Sequence, residues 1–142
     1  MHFELYDPEI DVNLPVRATK FSAGYDFFAP QDIVIPAHGS AKVPTNVTVK
    51  PNLTDSYNWL LQVYPRSSLG IKKRIMLANT VGIVDADYCG FEIFIFLENR
   101  GDEDVHIAAG ERFCQGVFVP YLTTSNDAAF GERVGGFGST GK

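Results

Sequence analysis

Short apolar stretches separated by proline, glycine, asparagine and aspartate recur along most of the chain. Residues 3–5 open as a strand. Residues 7–17 contain Pro8 and Pro15 and read as an extended connection. Residues 22–30 mix small residues with Phe27 and Phe28 and leave Asp26 alone among apolar neighbours, where a charge needs a partner. Ile33–Ile35 and residues 47–49 are strand-like, and His38 lies in a solvated turn between them. Residues 59–64 form a strongly apolar strand that Pro65 ends. Residues 66–74 predict a helix, kept short by Gly70, with Ser67 or Ser68 capping its start. Residues 79–90 read as a β-hairpin: Val81, Ile83 and Val84 favour strand, and Asp85-Ala86-Asp87 is turn chemistry. Residues 91–97 are almost continuously apolar, the pattern of a strand buried on both faces. A charged turn (residues 98–104), the short strand Val105–Ile107, a tight turn and a final strand over residues 113–119 complete the pattern. Many short strands and one short helix predict a single all-β domain, a sandwich, jelly roll or barrel, over residues 1–122. From Thr123 the chain becomes polar and then glycine-rich, which predicts a flexible tail over residues 123–142.

Composition narrows the class. The chain has 142 residues, 45% hydrophobic and 13% aromatic, which suits one folded domain with a true core. A net charge of −5 argues against broad nucleic-acid binding, yet leaves room for one polyanion held by a few arginines or a metal ion. Cys89 and Cys114 sit in apolar surroundings without metal-ligand spacing, so reduced, buried thiols are expected. No secretory signal and no run of membrane-spanning length are seen, so a cytoplasmic protein without membrane contact is expected.

Candidate chemistry concentrates at four places. The 79–90 stretch carries two carboxylates and the Tyr88 ring, which suits a flat, phosphorylated ligand. Arg66, Ser67 and Ser68 with free helix-start amides make an anion site. Gln115 is an uncharged polar candidate in the last strand. In the tail, Arg133 and the isolated Phe137 suit a flap that orders over a ligand. Residues 136–142 partly match a phosphate-binding loop, but the required Ser or Thr after the lysine is missing.

Taken together these pieces resemble the trimeric dUTPase family. The resemblance rests on Ala23-Gly24-Tyr25-Asp26, Pro65-Arg66-Ser67-Ser68-Leu69-Gly70, the run from Gly82 to Gly90, Gly110-Glu111-Arg112-Phe113-Cys114-Gln115-Gly116, and Arg133 with the run from Gly135 to Gly141, in that order. It implies a jelly-roll (β-clip) homotrimer with active sites at subunit interfaces. It implies Mg²⁺-dependent hydrolysis of dUTP to dUMP and pyrophosphate by water attack on the α-phosphate. By that resemblance Asp85 activates the water, Tyr88 packs beneath the deoxyribose, and Asn79 with the Gly82–Ile83 backbone reads uracil. Arg66, Ser67, Ser68 and Gln115 hold phosphates. Phe137 stacks on uracil, with Arg133, Ser139 and Thr140 near the phosphates, and Gly138 is also a substrate-binding residue. Asp26 takes an indirect place near Mg²⁺, which the triphosphate mainly holds. Three features depart from the family pattern: a shortened tail after Arg133, Phe91 at a position often polar, and a longer loop at residues 52–58.

Two other readings compete. The dCTP deaminases share the fold and the Arg-Ser-Ser-Leu stretch, but they tend to carry Asp-Pro-Gly-Trp where this chain has Asp-Ala-Asp-Tyr. They also need a glutamate near the positions of Phe94, Ile95 and Phe96, and hydrophobic residues cannot do acid–base work. A nucleotide-sensing or partner-binding module without catalysis is the other reading, which the presence of Asp85, Tyr88 and the tail disfavours.

Overall fold

The computed structural model describes residues 1–52 and 58–136. Most of the long loop at 52–58, and Phe137, Gly138, Ser139 and Thr140 of the tail, lie outside the described residues. Twelve strands are formed among the described residues: β1 (His2–Leu5), β2 (Val16–Arg17), β3 (Tyr25–Phe28), β4 (Ile33–Ile35), β5 (Ser40–Pro44), β6 (Val47–Lys50), β7 (Trp59–Pro65), β8 (Ile75–Leu77), β9 (Gly82–Asp85), β10 (Phe94–Asn99), β11 (Val105–Ile107) and β12 (Arg112–Pro120). Every strand pair is antiparallel. The largest sheet runs β2-β3-β12-β7-β9, a second runs β5-β10-β8, and β1-β6 and β4-β11 form two-stranded ribbons. The architecture is the expected all-β jelly roll.

Period-two alternation explains which faces meet. Along β7, Trp59, Leu61 and Val63 point inward, and along β10 Ile95, Leu97 and Asn99 do so. Phe27, Ile35, Leu61, Ile75, Leu97 and Phe113 are wholly or almost wholly enclosed. Each such side chain contributes about 1.5–3 kcal/mol on burial. Phe118 packs edge-on or tilted against Phe3, Tyr25 and Trp59 and closes one end of the core. In β12 the register to β3 slips between Arg112 and Cys114. That bulge places Phe113 and Cys114 both inside, although they are consecutive, and leaves Arg112 exposed.

Several sequence expectations change. The 79–90 stretch is not a hairpin of mutually paired strands: β9 pairs with β7, whereas β10 pairs with β5 and β8. The chain crosses between sheets through a 3₁₀ turn at Ala86–Tyr88. Residues 91–97 are not buried on both faces; the strand starts at Phe94, and Phe94 and Phe96 are only half-buried. Lys42 lies 4.0 Å from the Phe94 ring centroid on that outer side. The expected helix is a π-helical turn, Ser68–Lys72, preceded by Ser67, whose side chain makes no cap hydrogen bond. Cys89 is half-buried rather than buried, and only Cys114 is fully enclosed. Among the described residues no helix is long and apolar enough to cross a membrane.

Candidate active site

Two separate cavities hold the candidate residues. The first, about 360 Å³, lies beside β9 and is bordered by Asn79, Gly82, Ile83, Asp85 and Tyr88, with Phe94 and Phe96 of β10 and Arg133 and Gly136 of the tail. The second, about 370 Å³, is a shallower basin bordered by Gly24, Asp26, Arg66, Ser67 and Gln115. Ser68 borders neither; it begins the π-helical turn and is exposed.

The first cavity is shaped by tight backbone turns. Val81 N donates to Asn79 O at 2.8 Å across Thr80, whose φ is 65°. A β-branched residue in the left-handed region is strained, and this three-residue turn sets Asn79 at the cavity mouth. Gly82 lets β9 pack closely on its neighbours, because a Cβ there would come 3.1 Å from Val63 Cβ. Asp85 ends β9, and the 3₁₀ turn then presents Asp87 and Tyr88. The Tyr88 hydroxyl donates to the Glu92 carbonyl at 2.9 Å. Burial pushes the Tyr88 phenol above its ordinary pKa, with Arg133 opposing.

Arg133 closes over these acids. Its Nη2 donates to Asp85 Oδ2 at 2.5 Å and its Nε to Asp87 Oδ1 at 2.6 Å. The two carboxylates, Asp87 foremost, raise the guanidinium further above its usual range against the effect of burial. The sequence reading set Arg133 near phosphates; in the described chain it bonds two carboxylates and, through Nη1 at 3.3 Å, the Gly135 carbonyl.

The second cavity carries one arginine, Arg66, and one acid, Asp26, in its lining. Asp26 Oδ1 faces Arg66 Nε at 3.3 Å, and Arg112 Nη1 donates to Asp26 Oδ2 at 3.1 Å. The isolated charge of β3 thus finds two partners. Arg66 follows the end of β7, its amide donating to Phe113 O at 3.1 Å, so the bulged segment of β12 fixes where it starts. Gln115 lies across from Asp26 on one side and Tyr64 on the other. A Cβ on Gly24 would lie 2.6 Å from Gln115 Oε1, so the amide rests against bare backbone. Among the described residues no group of three or more His, Cys, Asp or Glu side chains is arranged to hold a metal ion.

Arg112, Asp87 and Gly24 were not singled out from the sequence for these roles. The available signal was the demand of Asp26 for a countercharge, but nothing local identifies Arg112 as the group that meets it.

An all-β domain with an aromatic and carboxylate cleft and a separate arginine, serine and amide basin defines a class: a protein that receives a planar ligand bearing several phosphates. Comparison with known proteins gives the family. A family model described as dUTPase matches residues 11–141. The deoxyuridine 5'-triphosphate nucleotidohydrolase of Lactococcus lactis is 39% identical over 138 residues, covering 92% of this chain and 89% of that protein. That of Caulobacter vibrioides is 35% identical over 150 residues, covering 99% and 94%. The crystal structure of dUTPase from Streptococcus mutans superposes with a TM-score of 0.77 at 34% identity, covering 89% of this chain and all of that one. The chain belongs to the dUTPase family.

Proposed function

We propose that this chain hydrolyses dUTP to dUMP and pyrophosphate, taking the nucleotide as its Mg²⁺ complex, in sites completed between copies of a homotrimer. The observation that carries the reading is the separation of the two cavities. Asp85 and Tyr88 border one, and Arg66, Ser67 and Gln115 border the other. Facing cavities from two copies would unite base, sugar platform and phosphate grip.

In this mechanism Asn79 and the Gly82–Ile83 backbone pair with uracil, which matches fixed donors and acceptors where cytosine leaves them unpaired. Tyr88 supports the deoxyribose. Arg66, Ser67 and Gln115 hold the phosphate chain and stabilise charge as it develops. Asp85 takes the proton of a water that attacks the α-phosphorus. The new P–O bond forms as the bond to the β-phosphate oxygen breaks. The electron pair leaves with pyrophosphate, and Asp85 returns its proton to solvent. Arg133 leaves Asp85 for the phosphates when substrate enters, and the tail over residues 123–142, with Phe137 on uracil and Gly138, Ser139 and Thr140 beside the phosphates, closes over residues 1–122.

Mg²⁺ is proposed to enter on the triphosphate, where it neutralises charge. Both oxygens of Asp26 face arginines, so this residue would act on a metal-bound triphosphate through them rather than as a free ligand. The wall supplied by Ile93, Phe94, Ile95 and Phe96 has no carboxylate, which favours hydrolysis over deamination. A free nucleotide as substrate is what supports a cytoplasmic location for the enzyme.

Pyrophosphate release from dUTP, dCTP, dTTP and UTP tests the reaction, with dUTP expected to dominate. Shared sites are tested by mixing two inactive variants, Asp85→Asn and Arg66→Ala. Random reassembly restores about a quarter of the sites if each site draws these residues from different copies. No recovery after subunit exchange would place both residues in one chain's site.

A further inference from the structure

Phe91 stands behind Tyr88, and the established family features do not use it. The two ring centroids are 5.4 Å apart, with their planes tilted by 39°. Tyr88 borders the cleft, whereas Phe91 does not and is 43% exposed, so Phe91 contacts the ring from beyond the cleft lining. Phe91 N donates to Tyr88 O at 3.3 Å, so one short turn places both rings. The far end of Tyr88 is pinned by its hydroxyl bond to Glu92 O. Its edge is covered by the tail, where a Cβ on Gly136 would come 2.7 Å from Cε2. The ring is therefore held at its tip, its edge and its back.

We infer that Phe91 is a specificity residue that sets the depth of Tyr88 in the cleft, and through it the room left at the 2′ position of the sugar. The inference rests on the dUTP reading above. A 2′-hydroxyl adds one heavy atom and one polar group that must be satisfied or left in water. A ring fixed against the deoxyribose offers neither space nor a partner. With Phe91 removed, the Tyr88 ring pivots away about its tethered hydroxyl and admits that oxygen. Phe91 itself touches no substrate; it acts by positioning Tyr88.

The experiment compares kcat/KM for dUTP and UTP in wild type, Phe91→Leu and Phe91→Ala, with thermal unfolding followed in parallel. A wild-type preference for dUTP supports the parent reading, and its absence overturns that reading before the variants are considered. Phe91→Ala is expected to lower the dUTP-to-UTP ratio by roughly 10-fold or more, a range one small group commands in discrimination. The change should come mainly from faster UTP hydrolysis. Phe91→Leu, which keeps bulk behind the ring, should stay within about threefold of wild type. A purely structural role would slow both substrates by the same factor and leave the ratio unchanged. That outcome, or a folded Phe91→Ala with the wild-type ratio, overturns the inference. Should Phe91→Ala fail to fold, Phe91→Val withdraws the ring with less loss of volume, and the same ratio decides.

Discussion

Asp26→Asn isolates what one charge does in the basin that Arg66, Ser67 and Gln115 border. The substitution keeps the shape of the side chain but replaces one acceptor oxygen by an NH₂ group. At present Asp26 faces Arg66 Nε at 3.3 Å and accepts from Arg112 Nη1 at 3.1 Å, with its own side chain 11% exposed. A full ion pair at such separations is worth about 5 kcal/mol at an effective dielectric constant of 20. The two guanidiniums are 31% and 41% exposed, so solvent screens much of this. A stability loss of about 1–2 kcal/mol remains, or roughly 2–8 °C in Tm for a domain of this size. Function should change differently. Losing a negative charge leaves the basin more positive, so overall attraction for a triphosphate is kept. What is lost is the fixed direction of Arg66. We expect kcat to fall about 10-fold, while KM moves by less than about threefold, as for an orienting group. Pyrophosphate release measured across a Mg²⁺ series is the assay. A wild-type rate restored by added Mg²⁺ would show that Asp26 serves the metal and refute the reasoning. So would an unchanged kcat and Tm.

Asp85→Asn cannot take a proton and should lower kcat by at least ~10²-fold with dUTP binding retained; single-turnover rates and equilibrium binding separate the two. Gly24→Ala drives a Cβ to 2.6 Å from Gln115 Oε1 and should cost about as much in kcat/KM as Gln115→Ala, roughly 10-fold for one charge-facing hydrogen bond. A double variant no worse than either single one, in a mutant cycle, checks that both act through the same amide. Thr80→Gly relieves the left-handed backbone at φ 65° and should raise stability by about 1 kcal/mol in denaturant unfolding. Burial holds the Cys114 thiol protonated far above its ordinary range. A thiol reagent should therefore react with Cys89 alone in the native protein and with both cysteines in denaturant.

The parts of the fold that the sequence reveals are those with strong alternation or sharp ends. The strand at Trp59–Pro65 and the one ending at Pro120 are readable because large apolar residues stop at a proline. β3 is hidden by its small neighbours and by Asp26, whose partners are supplied by residues far along the chain. β5 is obscured by prolines, and β8 lies directly behind a basic run. The hairpin expectation fails at Asp85 to Tyr88 because local turn chemistry cannot say which sheet each arm joins. Asn79, Asp85 and Tyr88, which border one cavity, are a legible part of the candidate site because they are close in sequence. The Gly24, Arg66 and Gln115 basin is assembled by pairing of β3, β7 and β12, and only the family resemblance groups those residues in advance.

The position of β12 also has a consequence for how the protein is made. It is the middle strand of the largest sheet, between β3 and β7, yet among the described strands it is the last to be synthesised. β3 leaves the ribosome early with no neighbour on that side, and β7 waits likewise. The sheet closes only when the C-terminal strand arrives, a long-range step that is intrinsically slow and leaves edges uncovered in the interval. Nascent chains stalled before Arg112 should therefore be the form of this protein most in need of a chaperone.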